Sequence, residues 1–226
     1  MTSLGQRTRP SAEVVRWIGD GIDRRLLAAL LVVDGCFLVA HGAHVYTTRV
    51  LDRSRWYVFA LDRDQGLAEI WQYGKYAALV LVLALLAWRA RSAVLGAWAL
   101  AFGVLALDDI AELHERAGRA LDDVAGSGEA LGELGYLVVT GAALFAVILV
   151  AWTRSPVSTD RLARALVAMG AILVIVGIGA DLLHALVDDN DWANEIGRVV
   201  EDGGALVVLS AIVAMVWGMR HTIDAG

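Results

Sequence analysis

The sequence predicts an all-α, polytopic membrane protein that folds as a bundle of six transmembrane helices. Of its 226 residues, 58% are hydrophobic and only 19% are charged, which is too apolar for a soluble domain of this size. Six apolar runs each approach the ~20 residues that a helix needs to cross a bilayer. No stretch alternates for long enough with the period of a strand to suggest a transmembrane barrel.

The six predicted helices follow one another through most of the chain. They lie at about 26–45, 70–88, 94–110, 134–152, 163–183 and 203–219. The first run is too long for the core of a signal peptide and no small-residue cleavage site follows it convincingly, so we expect it to remain as a span. Ser92 and Gly96 mark a turn between the second and third helices, and Pro156 marks one between the fourth and fifth.

The distribution of charge predicts the orientation. With six spans, one side of the membrane receives most of the arginines that flank the helices: Arg24, Arg25, Arg89, Arg91, Arg154, Arg161, Arg164 and Arg220. The loops on the other side are acidic on balance. The positive-inside rule therefore predicts a cytoplasmic-membrane protein with both termini in the cytoplasm. Residues 1–25 would form a cytoplasmic segment, 26–220 the transmembrane domain and 221–226 a cytoplasmic tail.

Composition also limits the partners. The net charge of −6 argues against nucleic acid, and the single cysteine, Cys36, excludes a disulfide within the chain. Membrane lipid is the expected partner, and the oligomeric state stays open.

A weak internal repeat accompanies the helices. The second, fourth and sixth runs each start near a glutamate and end near a tryptophan: Glu69 and Trp88, Glu133 and Trp152, Glu201 and Trp217. Three repeated hairpins of roughly 70 residues explain this pattern. The preference of tryptophan for membrane interfaces also explains it and is the simpler account, and both explanations stay open.

The strongest chemical signal lies at Leu105–Glu115, which reads L-A-L-D-D-I-A-E-L-H-E. As one continuous helix, this stretch would carry Asp108, Glu112 and Glu115 on one face, with His114 about one residue off it. Carboxylates near hydrocarbon are costly unless they are paired, hydrated or bound to a metal. The stretch therefore predicts a polar site at the non-cytoplasmic end of the bundle, facing outside. A bound metal is the first interpretation, and a metal-free polar cavity or proton site and a structural polar network are the alternatives.

Polar residues of other helices are expected to meet at that end. Asp181 and His184 stand at i, i+3, and metal sites in helix bundles are often built from glutamates and carboxylate-x-x-His pairs. The predicted metal ligands are His41, Asp108, His114, Asp181 and His184. Imidazole with carboxylate suits zinc, iron or manganese.

Further residues are assigned supporting roles. Glu112 or Glu201 is the predicted general base. Six further residues are expected either to hydrogen-bond to the metal ligands and orient them or to contact the substrate. They are Asp109, Glu115, Glu69, Glu133, Asp34 and Lys75. Asp34 stands midway along the first helix and needs a partner, for which Lys75 and a backbone carbonyl are the candidates.

Three short motifs resemble those of a broad group of bacterial polytopic membrane proteins. They are F-A-L-D-R-D at 59–64, L-D-D-I-A-E-L-H-E at 107–115 and E-D-G-G-A at 201–205, which match F-x-L-D-x-(D/E), L-D-(D/E)-x4-H-E and E-x-x-G-A. The resemblance covers most of the membrane region and implies a polytopic fold. It indicates site positions at Asp108, Asp109, His114, Glu115 and Glu201, and it implies no substrate.

A more distant resemblance is to the superfamily of alkaline ceramidases and progestin-type receptors. Those proteins hold zinc with aspartate and histidines inside seven helices. This chain has six predicted spans and lacks their H-x-x-x-H motif. The resemblance is therefore limited to the general arrangement, in which aspartate and histidines form a site inside a helix bundle.

Three functions fit these patterns. A metal-dependent membrane hydrolase would act on a lipid or another amphipathic substrate with metal-activated water. A transporter or ion-binding module would use Asp34, Lys75 and Asp181 as a relay. A non-catalytic scaffold would use the small-residue runs 170–179 and 203–204 for close helix packing.

Overall fold

A computed structural model describes residues 19–51, 57–61, 63, 65–126, 128–186, 196–197 and 199–223, with the backbone alone at 125, 178–186 and 222. This part of the chain is helical and contains no β-strand. The helices are α1 Arg24–Arg49, α2 Leu67–Ala90, α3 Ala93–Ala111, α4 Leu113–Ala125, α5 Glu129–Trp152, α6 Asp160–Leu186 and α7 Gly204–Ile223. Two 3-10 turns, Tyr57–Phe59 and Val157–Thr159, and a π-helical turn, Val199–Gly203, complete the described elements.

Within the part of the chain that the structure describes, five helices are long and apolar enough to cross a membrane. They are α1, α2, α3, α5 and the stretch Val199–His221, which joins the π-helical turn to α7. The all-helical, multi-pass character expected from the sequence is confirmed. The predicted fifth run forms α6, a helix of 27 residues whose first two turns carry Asp160, Arg161 and Arg164. Because the side chains of residues 178–186 in α6 lie outside the described part of the chain, a sixth span stays a prediction.

The helices pack around a core that lies in the arginine-rich half of the bundle. Arg91 takes a left-handed backbone conformation (φ 49°, ψ 42°), which reverses the chain between α2 and α3 so that the two helices pack as a hairpin. Helix α7 packs on α1, α2 and α6, and α5 packs on α3 and α4. The largest fully buried side chains of this core include Leu83, Leu95, Phe102, Leu209 and Met215. The opposite half of the bundle holds the buried charged residues.

The start of α7 approaches two neighbouring helices closely. A Cβ atom added at Gly203 would lie 2.7 Å from Cδ2 of Leu38 on α1, and one added at Gly204 would lie 2.6 Å from Cγ1 of Val176 on α6. Small residues are needed here because helices in membranes gain much of their association energy from close backbone packing. The expectation that residues 203–204 support close packing is confirmed.

The stretch Leu105–Glu115 is not one continuous helix, and this prediction was wrong. Helix α3 ends at Ala111, Glu112 takes a left-handed conformation (φ 49°, ψ 43°), and α4 starts at Leu113. The break changes the direction of the chain, so Asp108, Glu112 and Glu115 do not share one helical face. Asp108 supplies the physical reason, because its side chain binds the start of α4.

Candidate functional site

Asp108 and His114 form the centre of the candidate site. Asp108 lies at the end of α3 and is 5% exposed. Its Oδ1 accepts a hydrogen bond from the backbone N–H of His114 at 3.1 Å, and its Oδ2 lies 3.0 Å from His114 Nδ1. One carboxylate therefore caps an orphan amide in the first turn of α4 and also orients the imidazole.

The contact to Asp108 determines which nitrogen of His114 is available. An ionised carboxylate can only accept, so Nδ1 carries the proton of the neutral imidazole. The other nitrogen, Nε2, then has a free lone pair. A histidine held in this way is suited to act as a general base or as a metal ligand. The side chain is 29% exposed, so the ring is partly accessible at the surface of the protein.

Helix α2 contributes a polar stripe that faces these residues. Glu69, Gln72, Tyr73 and Tyr76 stand at i, i+3, i+4 and i+7, which is one face of a helix. Gln72 Nε2 donates to Asp109 Oδ2 at 3.3 Å, and Tyr76 lies close enough to Asp109 to interact with it electrostatically. Glu69 accepts hydrogen bonds from the Tyr73 hydroxyl and from the backbone N–H of Gln65, so it also caps the start of α2.

Together these groups form the outer polar cluster. Asp109 interacts electrostatically with Asp108, His114 and Glu69, and Tyr136 of α5 lies close to Asp108. The outer polar cluster is defined as Glu69, Gln72, Tyr76, Asp108, Asp109, His114 and Tyr136. Four helices, α2 to α5, position it. It combines an oriented imidazole with several carboxylates, which is the composition of an acid–base site.

A second cluster lies deeper in the bundle, around Asp34 and Lys75. Lys75 Nζ donates to Asp34 Oδ1 at 2.6 Å and to the carbonyl of Leu206 at 2.8 Å. Asp34 also accepts from Trp71 Nε1 at 2.8 Å and from the Ser210 hydroxyl at 2.6 Å. Asp34 is 0% and Lys75 2% exposed. Of the two partners predicted for Asp34, Lys75 is confirmed. The backbone carbonyl in this cluster, that of Leu206, accepts from Lys75 and not from Asp34.

His41 belongs to a different set of contacts from His114. It is 2% exposed, and its Nδ1 accepts a hydrogen bond from the backbone N–H of Leu61 at 3.2 Å. Histidines that bind metals almost always donate from their second nitrogen, whereas Nδ1 of His41 accepts. His41 thus fastens the loop between α1 and α2. His44 packs on the ring of Tyr57 at a centroid distance of 5.8 Å.

Helix α4 packs closely against α5. A Cβ atom added at Gly118 would lie 2.5 Å from Glu133 Cγ and 2.9 Å from the carbonyl oxygen of Glu129. Arg119 Nη1 contacts Glu115 Oε2 at 3.2 Å and Glu129 Oε1 at 3.4 Å. The hydrogen bond to Glu115 raises the pKa of the Arg119 guanidinium. Glu133, predicted near the ligands, thus lies at the contact between α4 and α5. Glu115, also predicted there, pairs within α4 with Arg119, which in turn reaches Glu129 of α5.

The remaining predicted residues have other positions. Glu112 forms the break between α3 and α4, and Glu201 lies in the π-helical turn Val199–Gly203. The side chains of Asp181 and His184 lie outside the described residues, as do Asp62 and Asp64 of the first motif. Among the residues that the structure describes, no three His, Cys, Asp or Glu side chains are grouped so that they could hold a metal. The metal centre stays a prediction.

Several residues of both clusters were not predicted from the sequence. Gln72, Tyr76 and Tyr136 in the outer cluster are neutral, as are Trp71 and Ser210 around the buried ion pair. The stripe on α2 was visible as a helical spacing of polar residues within an apolar run. No comparable signal marks Ser210, because isolated serines are common in membrane helices.

Comparison with known proteins gives a family and no function. No curated protein and no solved structure matches the chain. One family model, described as a domain of unknown function (DUF8692), matches residues 24–219. This range starts with α1 and includes both clusters. The chain is therefore a member of the DUF8692 family.

Proposed function

We propose that this protein is a membrane hydrolase whose active site is the outer polar cluster, with His114 activating water for attack on a lipid or another amphipathic substrate. The observation that supports the proposal is the double contact from Asp108 to His114. The two contacts fix the imidazole in place, because one holds the backbone N–H of His114 and the other holds its ring nitrogen Nδ1. General-base catalysis needs such a fixed group within reach of solvent.

Asp109 has a matching role in the proposal. Its carboxylate lies on the same helix end as Asp108 and accepts from Gln72. A second carboxylate beside an imidazole can stabilise the positive charge that develops when the imidazole takes a proton. A divalent zinc, iron or manganese ion bound to His114 Nε2 would instead supply hydroxide directly. Asp181 and His184 are the proposed additional ligands, as the sequence predicts.

Hydrolysis by purified protein tests the proposal. The wild type in proteoliposomes is offered fluorogenic amide- and ester-linked acyl lipids. We expect turnover that falls about 10²–10⁴-fold in His114→Gln, because general-base catalysis contributes this much. His44→Gln is the matched control, since it removes an imidazole that packs on Tyr57 outside the cluster. Equal loss in both variants, or activity unchanged by His114→Gln, would contradict the proposal.

Elemental analysis separates the two ways of activating water. After chelator-free purification, a metal-dependent enzyme should retain close to one equivalent of a transition metal, and His114→Gln should lower it because one ligand is lost. A content below about a tenth of an equivalent in an active preparation would exclude the metal and leave His114 as the base.

A second candidate function is proton-coupled transport, and the buried ion pair favours it. Ionisable residues within a membrane span commonly mark ion or proton pathways. Asp34 and Lys75 form a polar layer below the outer cluster, and α2 carries residues of both layers. Flux of protons or solute into proteoliposomes that disappears in Asp34→Asn, with fold retained, would favour transport over hydrolysis.

The topology belongs to the same proposal. We infer six spans, with α6 as the fifth, so that both termini lie in the cytoplasm of a cytoplasmic-membrane protein and the outer polar cluster faces outside. The excess of arginine at the other end of the bundle supports this orientation. The three-hairpin repeat is consistent with it, because each hairpin would cross the membrane outward and back.

A further inference from the structure

A cavity at the arginine-rich end of the bundle has the features of a lipid headgroup site. It lies between the C-terminal turns of α2 and α7 and has a volume of about 230 Å³. Both helices run in the same direction, so their C-terminal ends meet at one membrane surface. The lining residues are Val82, Leu85, Leu86, Arg89, Trp217, Arg220 and His221. None of them belongs to the outer polar cluster or to the buried ion pair.

The polar end of the cavity is basic. Arg89 and Arg220 bring two guanidinium groups, and His221 adds an imidazole. Among the described residues, no carboxylate forms a salt bridge with Arg89 or Arg220. Two guanidinium groups that no described carboxylate neutralises attract an anion at a membrane surface, and guanidinium geometry matches phosphate.

Trp217 organises the arginine that lies closest to it. The guanidinium carbon of Arg220 lies 3.9 Å from the centroid of the Trp217 ring, and Arg220 Nη1 donates to the Trp217 carbonyl. This stacking holds one charge in place before any ligand arrives, which lowers the entropic cost of binding. Trp217 is 41% exposed, so its ring also remains available to a ligand.

The opposite end of the cavity is apolar. Leu85 is 41% exposed on the surface of α2, and Val82 and the buried Leu86 lie next to it along the helix. A ligand that fits both ends must combine a negative headgroup with a hydrocarbon chain. A free phosphate ion would use only the basic end.

From this arrangement we propose that the cavity between α2 and α7 binds an anionic phospholipid, with its phosphate on Arg89 and Arg220 and its acyl chain along Val82 and Leu85. Basic pockets between transmembrane helices at the cytoplasmic surface are typical sites for such headgroups. The site is independent of the proposed hydrolase activity and stands at the other end of the bundle.

Native mass spectrometry of the full-length protein in detergent tests this proposal. Phosphatidylglycerol and phosphatidylcholine are added separately at equal concentrations. We expect one phosphatidylglycerol to be retained at least about tenfold more tightly than phosphatidylcholine, because each arginine near an anionic headgroup contributes on the order of 1 kcal/mol. The double substitution Arg89→Gln with Arg220→Gln should abolish this preference.

Arg154→Gln is the matched control. Arg154 stands two residues after the end of α5, so it lies near a helix end like the two cavity arginines but does not line the cavity. It should leave the preference unchanged, and thermal unfolding should show that all variants remain folded. Equal retention of both lipids, no effect of the double substitution, or displacement by millimolar inorganic phosphate as efficient as by phosphatidylglycerol would overturn the proposal.

Discussion

At the scale of residues, one lysine connects three helices. Lys75 of α2 contacts Asp34 of α1 and the backbone carbonyl of Leu206 on α7, and its ammonium lies 5.4 Å from the centroid of the Trp71 ring. Removing two charges from water is costly, and a buried pair compensates this cost only when its remaining hydrogen bonds are made. Here Ser210 and Trp71 complete the set on Asp34.

A double-mutant cycle should reveal this coupling. Asp34→Asn and Lys75→Met each leave one charge without its counter-ion, so each should lower the free energy of unfolding by about 3–5 kcal/mol. The double variant should cost less than the sum of the two. Denaturant-driven unfolding in bicelles measures all three values, and Asp123→Asn, on the exposed face of α4, is a near-neutral control. Strictly additive costs would contradict the coupling.

In both clusters, the residues that could be predicted from the sequence are mainly those that carry charge. Asp34 and Lys75 stand out because ionisable groups are rare in apolar runs, and a rare group needs a partner. Trp71 and Ser210 were not predicted, because isolated neutral polar residues are common in membrane helices and give no signal. Gln72 was not predicted either, although its helical spacing from Glu69 and Tyr76 was a usable signal. The pairing of Nδ1 of His41 with Leu61 was also inaccessible, since it depends on how the loop folds back onto α1.

At the scale of elements, the break at Glu112 determines what the acidic stretch can do. Helix α4 starts there because Asp108 offers an acceptor to its first turn. Glu112 itself has the backbone role of a left-handed residue, which costs a non-glycine side chain roughly 1–2 kcal/mol. Glu112 therefore has two candidate roles: the predicted general base, and a residue whose left-handed backbone allows the break between α3 and α4.

Glu112→Gly distinguishes these two roles. If Glu112 matters through its backbone, glycine should maintain or raise the unfolding temperature and leave hydrolysis intact, because glycine adopts positive φ without strain. Glu112→Val should lower the temperature, since β-branched residues disfavour this conformation. Circular dichroism melts and the acyl-lipid assay measure both effects. Loss of turnover in a stably folded Glu112→Gly protein would restore its role as a base.

A second prediction at this scale concerns the close packing of α4 on α5. Gly118→Ala should destabilise the protein by about 1–3 kcal/mol, because the added methyl group overlaps Glu133 and the backbone of Glu129. Gly141→Ala on α5 is the control, since an added Cβ there meets nothing within 4 Å. It should be neutral or stabilising by up to about 1 kcal/mol. Reversed outcomes in thermal unfolding would mean that α4 does not pack on α5 as described.

Helix positions were predictable to within a few residues, whereas the break was not. The second run, expected at about 70–88, forms Leu67–Ala90, and the third, expected at about 94–110, forms Ala93–Ala111. Apolar runs fix these limits because spans must match the bilayer. The break depends on one hydrogen bond that the Asp108 carboxylate accepts from the backbone amide six residues later. The periodicity of apolar residues does not predict such a bond.

At the scale of the whole molecule, polar and apolar halves are separated along the bundle. The packed apolar core lies toward the arginine-rich end, and both charged clusters lie toward the other end. This asymmetry matches a site that opens to one side of the membrane. It also agrees with the orientation that the arginines predict.

Cysteine labelling checks this orientation. In a Cys36→Ala background, which removes the chain's one exposed thiol, Asp123→Cys on α4 should react with a membrane-impermeant maleimide added to intact cells. Arg154→Cys, after α5, should react only when the cells are permeabilised, because arginine-rich ends stay in the cytoplasm. The inverse labelling pattern would contradict the proposed topology.

The buried ion pair also bears on how the chain is made. Asp34 is synthesised 41 residues before Lys75 and 176 residues before Ser210. An unpaired aspartate at the centre of a nascent helix opposes release from the translocon by about 2.5–3.5 kcal/mol. We therefore expect α1 to remain in the translocon until α2 has been synthesised. We expect Lys75→Met to prolong this stage, as measured by crosslinking to the translocon after pulse labelling. A charge pair that fastens the mature bundle would thus also set the order in which its helices enter the lipid.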